Sequence, residues 1–167
     1  TDCNCNFTAT IDPANAICES DGTDNTLASA QAMTIPDIEV DGDNLTVTCA
    51  DDGQVTVSGT VTLVNNGCGA PLTDDVPMRF TLYDNTGCGG SQLTQWTQTF
   101  SPAAMASQGG TQVFTITPYT FTSNLVTDST DCRVSIFLEA DYNLSVCEWD
   151  GTDNTYCADN KNVDIPD

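Results

Sequence analysis

The chain has 167 residues, 24 acids, three bases and no histidine, a formal charge of −21. A polyanion of this density repels nucleic acid and anionic membrane. Without histidine it has no Ser–His–Asp triad, Cys–His dyad or imidazole-bound zinc. No apolar run approaches the roughly 20 residues of a membrane span. No charged-then-apolar leader opens the chain, as expected of a mature or excised segment.

The apolar fraction of 39% is enough for a core. Thr, Val, Ile, Phe and Tyr are spread widely, whereas Lys, Arg and Glu, the usual surface residues of helices, are scarce, which favours strands. Twenty of the acids are Asp, many beside Gly or Asn, and that is turn chemistry. Nine cysteines in an acidic, turn-rich chain point to an oxidising, extracytoplasmic compartment. The odd count leaves at least one thiol outside any intrachain bridge. No CxxC pair occurs, so thiolate-bound zinc or iron–sulfur is not expected.

The first element is a repeat. Cys18-Glu19-Ser20-Asp21-Gly22-Thr23-Asp24-Asn25-Thr26 recurs as Cys147-Glu148-Trp149-Asp150-Gly151-Thr152-Asp153-Asn154-Thr155, at an offset of 129. Thr1-Asp2-Cys3 matches Thr130-Asp131-Cys132 at the same offset, and Asp12 matches Asp141. Twelve of the first 26 residues are identical to residues 130–155 without a gap. With one inserted residue, Ile35-Pro36-Asp37 matches Ile165-Pro166-Asp167. Residues 1–37 therefore read as a copy of the terminal strand segment of a preceding or neighbouring repeat, and residues 38–167 as one complete domain. A tandem array produces such a pattern. So does a subunit that lends a spare terminal segment to its neighbour.

The strands follow in order. Leu45, Val47 and Cys49 alternate with polar residues. In 54–63, Val55, Val57, Val61 and Leu63 share one face, and Gln54, Thr56, Ser58, Thr60 and Thr62 the other. Met78, Phe80 and Leu82 repeat the pattern, as do Val134, Ile136, Leu138 and Ala140. Residues 91–100 and 111–117, rich in Thr and aromatics, are predicted strands as well. Turn signals separate them at Asp51-Asp52-Gly53, Asn65-Asn66-Gly67, Asp84-Asn85-Thr86-Gly87 and Gly109-Gly110. No segment keeps a helical period. The expected fold is all-β: an immunoglobulin-like antiparallel β-sandwich of about seven strands, with an extra N-terminal strand pair.

Two short motifs carry a family resemblance. Val64-Asn65-Asn66-Gly67 after a strand, and the run Asp141…Glu148-x-Asp150…Asp153-Asn154 before the last strand, resemble the CARDB-type adhesion module of prokaryotic surface proteins. The resemblance covers 38–167, with its tail again at 1–37. It implies an immunoglobulin- or fibronectin-like sandwich and a non-catalytic, adhesive role. The cysteines lie outside that family's pattern.

Asp141, Glu148, Asp150 and Asp153, with their copies Asp12, Glu19, Asp21 and Asp24, are candidate calcium ligands, because hard cations need several oxygens from one flexible loop. The competing reading is a set of turns whose side chains cap backbone N–H groups. Expected disulfides are Cys3–Cys18 and its copy Cys132–Cys147, then Cys68–Cys88 between two Gly-flanked turns, and Cys49–Cys157 on the first and last strands. Cys5 is left as a buried thiol or a link to another subunit. Asn6, Asn44 and Asn143 head glycosylation triplets. Trp149 is either a sugar platform or a packing plug. No nucleophile sits beside an activating base, so an enzyme is not expected. The expected protein is a structural and adhesive module of the cell exterior, a homo-oligomer or polymer of like modules with a glycan or surface receptor as partner. The alternative is a carbohydrate- or ligand-binding accessory module of a secreted protein. Calcium is the one cofactor in view.

Overall fold

The computed structural model describes residues 8–11, 13, 14, 16, 17, 25–28, 35–50, 54–69, 71–85, 87–122, 133–146, 148 and 151–164. Its strands are β1 (Thr8–Thr10), β2 (Thr26–Ala28), β3 (Ile38–Cys49), β4 (Gln54–Asn65), β5 (Val76–Tyr83), β6 (Gln92–Phe100), β7 (Gly110–Thr115), β8 (Tyr119–Thr122), β9 (Arg133–Ala140) and β10 (Thr155–Asp164).

Strand alternation builds the first layer. In β4, Val55, Val57, Val61 and Leu63 are buried, as their spacing predicts. Gly59 interrupts that series at φ +126°, and a Cβ there would lie 2.2 Å from the Asn44 carbonyl oxygen, so β3 and β4 close only around glycine. Along β3 the buried positions change parity, from Ile38 and Val40 to Leu45, Val47 and Cys49. The register shifts between Val40 and Gly42. That bulge at Asp41 turns the strand so that both halves face the core.

The strands run β6-β5-β9-β10-β3-β4-β7, with β8 also on β4. All these pairs are antiparallel except β10 with β3. The path folds over itself into two layers. Val47, Val57, Leu63 and Phe114 from one layer and Met78, Phe80, Ile136 and Leu138 from the other belong to a single core. Burying each such side chain contributes roughly 1.5–3 kcal/mol. On one side, β10 closes the layers: it pairs with β9 as far as Asn162, then parallel to β3 at Val163 and Asp164. On the other side the layers meet through side chains. Trp96 of β6 stacks between Phe80 (5.0 Å) and Tyr119 of β8 (4.5 Å), and Phe100 stacks on Phe114 at 4.9 Å. The Thr117 amide donates to Gln98 Oε1 at 2.9 Å.

This is an all-β, immunoglobulin-like sandwich. Among the described residues its body has eight strands in place of about seven. The run read as one strand over 111–117 ends at Thr115, and the chain resumes as β8 at Tyr119. Pro118 lies in the gap; it has no N–H to offer a ladder and confines the run to two short pieces.

Two expected disulfides are corrected. Cys88 bonds Cys157, across 69 residues of chain. Cys68–Cys88 fails because Cys68 lies before β5 and Cys88 after it. Eight residues of strand separate them, about 27 Å at the usual rise, far beyond the roughly 7 Å that two half-cystine Cα atoms can span. Cys68 is itself disulfide-bonded, and not to Cys88. Cys49–Cys157 fails for a similar reason. The parallel register sets Val163 beside Val47, so Cys49 lies beyond the end of that pairing while Cys157 sits opposite Phe137 near the start of β10. Cys49 is a buried thiol. Cys3–Cys18, Cys132–Cys147 and Cys5 lie outside the described residues.

Candidate functional site

The closing turn begins where β9 ends. Asp141 takes φ +45° and is 1% exposed. Asp tolerates this left-handed conformation because its short polar side chain bonds locally. Its Oδ1 accepts hydrogen bonds from the Ser145 amide and hydroxyl, both at 2.8 Å, and its Oδ2 accepts from the Val146 amide at 3.0 Å. Asp141 is thus a cap with both oxygens occupied. Glu148 reaches further: Oε1 accepts from Asn154 Nδ2, and Oε2 accepts from the Ile38 amide at 3.1 Å. It ties the closing turn to the first residue of β3.

Burial pushes the Glu148 pKa above its ordinary value; hydrogen bonds from Asn154 and Ile38 lower it in part, and the Asp141 and Asp37 charges raise it again. A carboxyl with a raised folded pKa binds its proton more tightly in the fold. The stability it adds is therefore full below the unfolded value of 4.5 and is lost as pH rises through the folded value. Glu148→Gln cannot ionise. Its thermal midpoint is expected to gain on the wild type as pH is raised from 4.5 towards neutrality; a gap that stays constant with pH would refute this assignment.

The second motif grips the same crossing from the other side. Asn65 is fully buried; its Oδ1 accepts from the Asp37 and Gly67 amides, each at 3.1 Å, and its Nδ2 donates to the Met105 carbonyl at 3.3 Å. The Asn66 amide donates to Asp37 O at 2.8 Å, and the Cys68 amide to Ile35 O at 3.0 Å. Asn65 and Glu148 hold consecutive amides, those of Asp37 and Ile38. Both motifs therefore fasten the junction between the N-terminal copy and the body.

The copy itself forms a strand pair. β1 and β2 make a two-stranded sheet in the register Thr8↔Ala28, Ala9↔Leu27, Thr10↔Thr26. Adding 129 to each number gives Phe137↔Cys157, Leu138↔Tyr156 and Glu139↔Thr155, the register of β9 with β10. The flanking bond repeats too. The Ile11 amide donates to Asn25 O, and the Ala140 amide to Asn154 O, both at 2.8 Å. The duplicated sequence thus keeps the duplicated pairing. Its surroundings differ. Ile11 is 72% exposed and Ile17 66%, while their counterparts Ala140 and Val146 are 2% and 5% exposed. Leu27, in the place of Tyr156, is 73% exposed. Ala9, Ile11 and Leu27 share the face that in β9–β10 points into the core. No motif marks these apolar residues; their signal in the sequence is the 129-residue offset, which aligns them with core positions.

Of the proposed calcium ligands, Asp141 is spent on backbone amides, and Asp12, Glu19, Asp21, Asp24 and Asp150 lie outside the described residues. Among the described residues no group of three or more acids, cysteines or histidines is placed to hold a metal. One observation does fit a cation: Asp153 Oδ1 and Asn154 Oδ1 are buried acceptors with no hydrogen-bond donor among the described residues. Asn6 and Trp149 also lie outside the described residues; Asn44 and Asn143 are exposed. Among the described residues no helix is long and apolar enough to cross a membrane.

No family model and no curated protein matches the chain. Solved structures do. The crystal structure of the CARDB domain of a Pyrococcus furiosus protein, in complex with di-metal ions, is 15% identical, with a TM-score of 0.45, over 82% of this chain and 100% of that one. The solution structure of the CARDB domain from the same organism is 17% identical, with a TM-score of 0.43, over 78% and 97%. Strand order and pairing define the class as an immunoglobulin-like all-β module. Its terminal hairpin is present twice, once in the sandwich and once ahead of it.

Proposed function

We propose that this chain is a non-catalytic structural and adhesive module of an extracellular surface protein or filament. Copies assemble when the β1–β2 pair of one complements the sheet of another. The observation that carries the reading is the pairing register of β1–β2, kept identical to that of β9–β10 while Ile11 and Leu27 on its core-facing side lie in solvent. A two-stranded hairpin is marginal alone in water, and exposed aliphatic residues on an otherwise polar, highly charged chain call for a cover. The Cys88–Cys157 bridge supports an oxidising exterior as the working compartment.

The test is the mass distribution and electron microscopy of the full chain under oxidising conditions. Wild type is expected to form dimers or longer assemblies, and the double variant Ile11→Asp, Leu27→Asp to remain a folded monomer. A strictly monomeric wild type would overturn the complementation.

Calcium enters this reading at one place, the orphaned oxygens of Asp153 and Asn154. Leaving buried acceptors unmatched costs about 1–3 kcal/mol, and a hard cation bound by oxygen ligands relieves it. Calcium is expected to raise the thermal midpoint, a chelator to reverse the rise, and Asp153→Ala to abolish the response. A midpoint indifferent to both leaves the turn as a hydrogen-bonded cap.

A further inference from the structure

We infer that the acceptor for the strand pair is the open side of a second copy, with edge strand β6 as the strand it joins. This rests on the complementation reading and goes beyond it by naming the receiving surface.

Three observations converge on that side. The first is charge. From Asn85 to Thr127 the chain has no acidic or basic residue, although it carries 27 such residues elsewhere (24 acids and three bases). That stretch supplies β6, β7 and β8, which face one another across the open side of the sandwich. In a molecule of charge −21, two copies meet with least repulsion where neither is charged. The strand pair meets the same condition: β1 and β2 hold no charge, and neither does the run from Asn25 to Pro36.

The second observation is an unprotected edge. Among the described residues β6 pairs only with β5, and no described strand lies along its other side. β6 has nine residues with no proline, glycine or charge, and so lacks the usual guards against pairing with another chain. The opposite edge is guarded: β7 is only six residues long, and Pro118 follows it.

The third is apolar complementarity. Beside β6, Leu93, Trp96, Tyr119 and Phe121 are half-buried at the rim of the core. A strand pair added to β6 continues its sheet outward. With Ala9, Ile11 and Leu27 on the inner face, it lies over that rim. Main-chain hydrogen bonds then supply the attachment and the apolar face the cover, as in strand addition generally. The place occupied by β9–β10 in the body is not available to the incoming pair, because it is filled and bolted by Cys88–Cys157. Residue 28, the copy of Cys157, is alanine.

The experiment uses the full chain with Leu27→p-benzoylphenylalanine, mixed with an isotope-labelled batch, illuminated, reduced and digested with trypsin. Three basic residues give few peptides, and β6–β8 fall together in 80–133. The expected product joins peptide 1–79 of one label to 80–133 of the other. A link to 134–161 means exchange with β9–β10, and it overturns this acceptor while leaving complementation intact. Thr99→Lys, at an exposed β6 position, is expected to weaken wild-type association about tenfold or more through a charge on the edge while leaving the thermal midpoint unchanged. Unaltered association would also overturn the acceptor. A wild type that never associates defeats the underlying reading itself.

Discussion

Asp141→Ala is expected to lower the unfolding free energy by about 3 kcal/mol, because three donors lose their acceptor at once and an unmatched buried polar group costs about 1–3 kcal/mol. Two of those donors, the amides of Ser145 and Val146, are main-chain groups held in a turn and cannot rotate away. The carboxylate that serves them is 1% exposed, so water does not take its place without opening the turn. Asp141→Asn keeps one acceptor oxygen and is expected to lose less, about 1–2 kcal/mol on the same scale. Chemical denaturation in a chelator is the deciding measurement. A cap loses its full effect there, whereas a residue whose role is to bind a cation shows no loss once the cation is gone.

Gly67→Ala is expected to destabilise to a similar extent, about 3 kcal/mol, the upper range for forcing an atom into packed structure. A Cβ at this position would lie 2.3 Å from Ile35 O and 2.5 Å from both the Asp37 nitrogen and the Pro36 carbonyl carbon. These are backbone atoms, so no side-chain rotation relieves the clash. Either the junction lifts off, losing the Ile35–Cys68 bridge, or β4 shifts at its end. Hydrogen exchange at the Cys68 amide, which donates to Ile35 O, separates the two. Rapid exchange there with β4 still protected assigns the damage to the junction. Wild-type stability in Gly67→Ala would refute the close approach as the reason for glycine.

These two variants probe the motifs that resembled an adhesion module, and the structure gives each a plain physical task. Asn65 and Glu148 hold the adjacent amides of Asp37 and Ile38, while Asp141 and Gly67 make the turn and the close approach around them. Their spacing in sequence was visible, but their shared target was not. The target lies 28 residues from Asn65 and 110 from Glu148, and a one-dimensional pattern does not encode which distant amide a side chain meets. The acids first read as one ligand set divide the same way. Asp141 faces amides, and Asp153 holds an oxygen with no donor among the described residues.

The sequence by itself determined the all-β character, the inward faces of β4, β5 and β9, and the duplication of the terminal segment. Alternation and repetition are local properties, readable wherever side chains have a period of two or a stretch of chain recurs. Only the tertiary structure decided which cysteines meet, that the 111–117 run stops at Thr115 with a separate strand from Tyr119, and that the duplicated pair keeps its register while its Ile11 and Leu27 lie in solvent. Those depend on how far apart strand ends are held and on what covers each sheet. Layer packing sets both, and no single strand carries that information in its own residues.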